Sequence, residues 1–145
     1  MAPTLEDALA WALELYRPHE PDKGGNPYIL HPLAVMMAMD TDEERRVALL
    51  HDAIEDCGVE PEHLRARGYP EREIEAVVAL SRNEEQGETY EAFIERLRPN
   101  PLARKVKLAD LAHNMDVRRL ASVDEKARER LERYRRAWAR LKEEG

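Results

Sequence analysis

The sequence of 145 residues predicts an all-α fold, a helical bundle with short connections. Two observations carry that expectation: apolar residues recur at three- and four-residue spacing in segment after segment, and no alternating run argues for a strand. A third is compositional. Charged residues make up 37% of the chain and aromatics 6%, and the 43% hydrophobic fraction is spread in short periodic groups, which suits a helical globular protein and not a disordered one. A chain of this length forms one domain, residues 1–145, burying about 70% of the surface its unfolded form exposes.

Thr4 with Asp7 opens a first helix carrying Leu5, Ala8, Leu9, Leu13 and Tyr16. Residues 17–30 hold Pro18, Pro21, Gly24, Gly25 and Asn26 and read as a loop ending at His31. Pro32 suits the first turn of a short buried helix through Met37. Thr41 with Glu44 caps a helix that runs through Val47, Leu50, His51, Asp52 and Ile54 to Gly58. Pro61 to Arg67 forms a short helix closed by Gly68, and Pro70 opens another with Ile74, Val77, Val78 and Leu80 on one side. After the polar loop SRNEEQGE, a helix with Tyr90, Phe93, Ile94 and Leu97 ends at Pro99 and Pro101. A longer helix follows from Leu102 to about Leu120, and an amphipathic closing helix occupies about 123–144, with Ala127, Leu131, Tyr134, Trp138 and Leu141 inward.

The formal charge of −7 gives no overall attraction to nucleic acid or anionic membrane, so a phosphate-bearing ligand needs a local cationic site or a bound metal. Acids interleaved with the arginines of the closing helix point to solvated i,i+4 pairs, not a nucleic-acid face. Cys57 is the sole cysteine, which excludes an internal disulfide and a cysteine-based zinc cluster and suits a reducing cytoplasm. The opening MAPTLEDALAWALELY lacks both a basic leader and a long apolar stretch, so neither a signal peptide nor a membrane span is expected.

The string HDAIED carries the chemistry. On a continuous helix Glu55 returns above His51 and Asp56 above Asp52, so an imidazole and three acids share one face and repel one another unless a cation compensates. His31, before a buried helix, and KLADLAHN, where Lys107, Asp110, His113 and Asn114 stack at helical spacing, supply partners. Two imidazoles with two carboxylates and no thiolate suit Mn, Fe or Mg better than a structural zinc. Asp52 and Asp110 neutralise the ion, leaving Glu55 and Asp56 to orient or deprotonate a water. Lys107 reads equally as a phosphate ligand or an ion-pair partner of the acids. His113 takes a structural or rim role, His19 and His63 lie at the surface, and Cys57 packs. Ser81, Arg82 and Tyr90 line a pocket or cap and pack; Arg104 and Lys105 form a positive rim or are solvated.

Three ordered strings, NPYILHPLAVMMAM, ALLHDAIEDCGV and KVKLADLAHNMD, make the chain resemble the HD-domain hydrolases of the RelA/SpoT type over about residues 10–120. These enzymes remove the 3′-pyrophosphate of guanosine alarmones. The resemblance implies an HD-domain helical bundle, with His31 as first metal ligand, His51 and Asp52 as the HD pair, Asp110 as final ligand, and manganese as the ion. It makes Glu55 and Asp56 the catalytic acids, Asn114 a nucleotide contact and Lys23 part of a basic substrate loop. Asp116-Val117 departs from the Arg and Thr that commonly follow HNM in the family, which bears on the guanosine half of the pocket. With no room for the synthetase, TGS and ACT regions, the resemblance implies a stand-alone cytoplasmic ppGpp hydrolase. The alternatives are an HD-domain hydrolase of another nucleotide or phosphorylated small molecule, and a non-catalytic nucleotide-binding or interaction module whose closing helix mediates assembly, such as a homo-oligomer through the C-terminal helix.

Overall fold

The computed structural model describes residues 2–22 and 24–143. Lys23, expected in the substrate loop, lies outside the described residues. The described chain folds into helices α1 (Leu5–Tyr16), α2 (Leu30–Met37), α3 (Asp42–Leu50), α4 (Ala53–Cys57), α5 (Pro61–Ala66), α6 (Glu71–Ala79), α7 (Tyr90–Leu97), α8 (Pro101–Asn114) and α9 (Glu125–Lys142). Two 3-10 turns, Glu84–Gln86 and Val117–Arg119, complete it, and no strand occurs among the described residues.

Both expected capping boxes are present. Thr4 Oγ1 accepts from the Asp7 N–H and the Asp7 carboxylate from the Thr4 N–H, each at 3.0 Å; Thr41 and Glu44 repeat the exchange at 3.2 and 3.1 Å. Each box satisfies helix-end donors that have no partner within the helix. The second one launches α3, the central element, whose Val47, Ala48, Leu49 and Leu50 are almost wholly buried. Helices α1, α2, α6 and α8 surround it. Full burial of each such leucine stabilises the fold by about 1.5–3 kcal/mol, so α3 is the part of the backbone least free to shift.

The expected helix from Thr41 to Gly58 is broken. His51 ends α3, Asp52 (φ −102°, ψ 1°) starts α4, and Gly58 closes α4 in the left-handed region at φ 68°. The break has a visible cause: the His51 ring turns back so that Nδ1 donates to the Ala48 carbonyl at 2.6 Å. Other boundaries also move. Helix α2 begins before His31 instead of after it, and α8 stops at Asn114, short of the expected Leu120. Val78 and Trp138, expected inward, are 39% and 38% exposed, while Ala76 and Ala137 take the buried positions.

Arg104 and Lys105 form no rim to a pocket at Asp110. Lys105 pairs with Asp40 and Glu44 at 2.6 and 2.9 Å. Arg104 donates to the carbonyls of Leu141 (2.6 Å) and Glu143, and Arg98 to those of Arg140 (3.3 Å) and Glu143 (2.7 Å), so two guanidinium groups clamp the C-terminal end of α9. Along α9 Glu125 pairs with Arg128 and Glu132 with Arg135, three residues apart instead of the expected four, on exposed faces where solvent screens such pairs. No described helix is long and apolar enough to cross a membrane.

Candidate metal centre and substrate cavity

Three elements converge at one end of the bundle: the first turn of α2 brings His31, the α3–α4 break brings His51 and Asp52, and α8 brings Asp110. One donor atom each from His31, His51 and Asp52 lies within 4.8 Å of the other two. Asp110 Oδ1 is 2.7 Å from His31 Nε2 and 3.3 Å from His51 Nε2, and Asp52 Oδ2 is 3.2 Å from the same His51 nitrogen. His31, His51 and Asp110 are buried.

His51 decides what this cluster can hold. A carbonyl only accepts, so Nδ1, bonded to Ala48, carries a proton. Nε2 is then the nitrogen beside the two carboxylates, where it can bind a metal in place of a proton. Nε2 is buried and makes no hydrogen bond, the oxygens at 3.2 and 3.3 Å lying off its bonding direction. A buried nitrogen beside two acids needs a cation between them. Neighbouring ligands of a small divalent ion with bonds of about 2.1 Å stand about 3 Å apart, which is the spacing seen here. The donor set therefore fits a divalent metal.

The electrostatics agree. Burial would raise the Asp110 carboxyl, but the Lys107 ammonium at 2.7 Å and the two histidines hold it well below the ordinary carboxylate range. Asp52 is only partly buried; its loss of solvent would raise it, but the neighbouring His51 holds it below the ordinary carboxylate value. Burial opposes a charge on His51, yet Asp52 and Asp110 hold its imidazole well above the ordinary histidine range, so a metal at Nε2 takes the place of a proton. Glu55 and Asp56 are shifted the other way: partial burial raises both, with Asp52 adding to the effect. Carboxylates raised towards neutrality are suited to accept a proton.

The α3–α4 break separates the sequence-expected face into two tiers. Asp52 turns into the cluster, and Glu55 and Asp56 stand beside it. Glu55 Oε1 accepts from the Arg82 N–H at 2.7 Å. The Tyr28 hydroxyl lies 2.8 Å from Asp52 Oδ2 and 3.0 Å from Asp56 Oδ2 and donates between them. Tyr28 was not singled out in the sequence, although it belongs to the string leading to His31. Of the structural and rim roles open to His113, its geometry is that of the first: it stacks on His31 with ring centroids 5.0 Å apart and Nδ1 to Nδ1 at 2.7 Å. Burial, Arg119 and His31 together lower it to about 4, so it is a neutral ring that can accept the His31 proton and leave His31 Nε2 free for a ligand. Asn114 donates to Asp110 Oδ1 at 3.1 Å, and Lys107 is an ion-pair partner of Asp110 that also faces the cavity.

A cavity of about 280 Å³ opens over the cluster, lined by Tyr28, Arg82, Tyr90, Lys107, Arg119 and Arg133 among others. A second, of about 730 Å³, shares Tyr28, Glu55, Asn114 and Arg119 with it and adds His19 and Asp56. His19 is thus not a plain surface residue; it lies beside Tyr16 and Tyr28 and 3.3 Å from Cys57 Sγ. Burial and the neighbouring acids push the Cys57 thiol up to about 11, which keeps it protonated and unreactive. His63 caps α5 through the Glu60 N–H, as a surface residue. Arg119 fastens the loop before α2 by donating to Asp22 at 3.3 Å and to the His113 carbonyl at 3.1 Å. Gly24 fits against it because a Cβ there would stand 2.7 Å from the Arg119 carbonyl oxygen. Asp116 and Val117 line neither cavity; Asp116 pairs with Arg118 at 2.8 Å. A surface groove of about 640 Å³ along α9 shares no residue with the cluster and is walled mainly by charged side chains.

No family model matches the chain. It is 35% identical over 127 residues to the guanosine-3′,5′-bis(diphosphate) 3′-pyrophosphohydrolase of Vibrio cholerae, a match covering 76% of this chain and 18% of that protein. It is 34% identical over 126 residues to the GTP pyrophosphokinase of Streptomyces coelicolor, covering 77% and 15%. The chain thus spans less than a fifth of the length of these curated relatives, whose names include both hydrolase and pyrophosphokinase. Among solved structures, a metazoan ortholog of SpoT that hydrolyses ppGpp superposes with a TM-score of 0.78 at 19% identity, over 97% of this chain and 87% of that one. Similar in sequence to one segment of the long RelA/SpoT proteins and alike in fold to a nearly equal-sized ortholog, the chain is an HD domain of the RelA/SpoT type.

Proposed function

We propose that this domain is a manganese-dependent 3′-pyrophosphohydrolase acting on a guanosine alarmone such as ppGpp, with His31, His51, Asp52 and Asp110 as metal ligands. The observation that carries the reading is the buried His51 Nε2, fixed as a lone-pair donor by the Ala48 carbonyl and faced by two carboxylates. The relatives' names support the substrate. The bound ion supplies Lewis acidity and offsets the charge on the phosphoryl oxygens.

The rest is the work of side chains. Glu55, fixed by the Arg82 N–H and raised by burial, accepts the proton of the attacking water. Asp56, held through Tyr28 to Asp52, orients that water. The water oxygen bonds to the phosphorus attached at O3′, the O3′–P bond breaks, and the proton passes to O3′. The products are the nucleoside 5′-diphosphate and pyrophosphate. Lys107 and Arg119 provide positive charge in a chain that carries an excess of acid, and Asn114 stands where both cavities meet.

The test is incubation of manganese-loaded protein with ppGpp, following GDP and pyrophosphate. Release of both in equal amounts is expected. Intact ppGpp in the presence of bound manganese overturns the substrate, and failure to bind manganese overturns the centre itself.

A further inference from the structure

Two residues of the smaller cavity have no place in the mechanism above, Arg133 of α9 and Tyr90, the first residue of α7. Three cations surround that ring: Arg133 of α9 with its guanidinium carbon 4.9 Å from the centroid, Lys107 at 5.7 Å and Arg82 at 5.8 Å. Arg82 is engaged by Glu84 and the Glu88 carbonyl, and Lys107 by Asp110. Arg133 has no acidic partner among the described residues. Its Nε and the Tyr90 hydroxyl are both buried and both without a hydrogen bond. Like charges gathered around one ring repel one another, and a buried donor without an acceptor is destabilising. Two such donors on one wall of one cavity, both of them cavity residues, form an anion site lacking its anion's oxygens.

We propose that Arg133 and Tyr90 hold the distal phosphoryl group of the substrate's 3′-diphosphate, and so make the centre selective for a diphosphate over a monophosphate. The inference rests on the proposed phosphohydrolase reading. Size supports the assignment: about 280 Å³ is too small for a whole nucleotide and ample for a diphosphate lying between the metal cluster and the Tyr90 wall. Phosphorus at the cluster is attacked, and its β-phosphoryl neighbour, bridged to it by one oxygen, rests against Arg133. Helix α9 then contributes specificity as well as packing.

The test uses manganese-loaded protein and two inorganic probes, pyrophosphate and orthophosphate, with affinities measured by calorimetry for wild type, Arg133→Gln, Arg133→Lys and Tyr90→Phe. Arg133→Gln is expected to weaken pyrophosphate about ten- to hundredfold while leaving orthophosphate within about twofold. Tyr90→Phe gives a smaller loss of the same selectivity, and Arg133→Lys, which keeps the charge without the planar fork, falls between. Unchanged orthophosphate binding shows that the centre has stayed folded. Equal weakening of both probes, or of neither, overturns the proposal. Because the probes carry no nucleoside, the result stands whether or not ppGpp is the substrate.

Discussion

Two buried charged clusters lie on either side of α3, and they are built on opposite terms. On the α6 side, Arg46 and Glu73 form a bidentate pair, Nε to Oε1 at 2.9 Å and Nη2 to Oε2 at 2.8 Å, one cation against one anion with the fork geometry satisfied. On the α2 and α8 side, His31, His51, Asp52 and Asp110 crowd within a few ångströms, with His51 Nε2 left without a hydrogen bond. The first cluster is complete within the protein and holds helices together. The second is complete only with a cation from outside, and incompleteness of that kind separates a site from a brace.

Substitutions can break this contrast. The largest effect is expected from Asp52→Ala: metal binding by calorimetry weakens more than about a hundredfold, beyond the range typical of supporting residues, and alarmone hydrolysis falls to background. Its metal-free melting temperature falls only modestly, since the partly exposed Asp52 loses its contacts with His51 and Tyr28 and no helix-packing side chain is removed. A large loss of metal-free stability would make the cluster a brace after all. Glu73→Ala is expected to show the reverse, about 1–3 kcal/mol lost in urea unfolding because the half-buried Arg46 is left unpaired, with metal affinity of the folded fraction unchanged.

His113→Ala is expected to weaken metal binding about ten- to hundredfold by releasing the His31 tautomer, and His113→Asn, which keeps an acceptor, to recover part of it. Manganese titration of the three proteins checks both. The smallest effect belongs to the loop that presents the Arg82 N–H to Glu55. Glu88 there accepts from Arg96 at 2.7 and 3.0 Å and from the Asn83 N–H, and Arg96 draws its carboxyl down to about 2. A folded value below the unfolded one adds stability that is complete above about pH 5 and is lost as the pH falls through 2. Thermal melts between these limits should therefore slope less in Glu88→Gln, by a fraction of a kcal/mol at about the value of a half-exposed pair.

Local chemistry was legible in the sequence and long-range chemistry was not. The boxes at Thr4 and Thr41 could be read because cap and partner are three residues apart. The α3–α4 break could not, since every residue from Thr41 to Cys57 tolerates a helix and only the folded His51 ring, reaching back to Ala48, shows the interruption. His31, His51, Asp52 and Asp110 come together as the motifs implied, but the roles of Tyr28 and His113 depend on rings meeting across 24 and 82 residues of chain. Arg133 was one arginine among many on an amphipathic helix, and Glu129 four residues before it reads as its ion-pair partner; only the fold, which places its buried Nε beside Tyr90 with no such pair, singles it out. Trp138 misled because size outweighed position: the narrow α9 contact takes Ala137.

The guanidinium clamp on α9 gives that helix two unequal ends. Salt screens the exposed ion pairs at both ends, Glu125–Arg128 and Arg140–Glu95 alike, but only the far end is also held by Arg98 and Arg104 through main-chain carbonyls, which have no charge to titrate. In concentrated electrolyte α9 should therefore loosen as a tethered lever, fraying from Glu125 while its far end stays moored, with amide exchange graded along its length. Ionic strength then acts on the cavity through a helix end that touches no substrate.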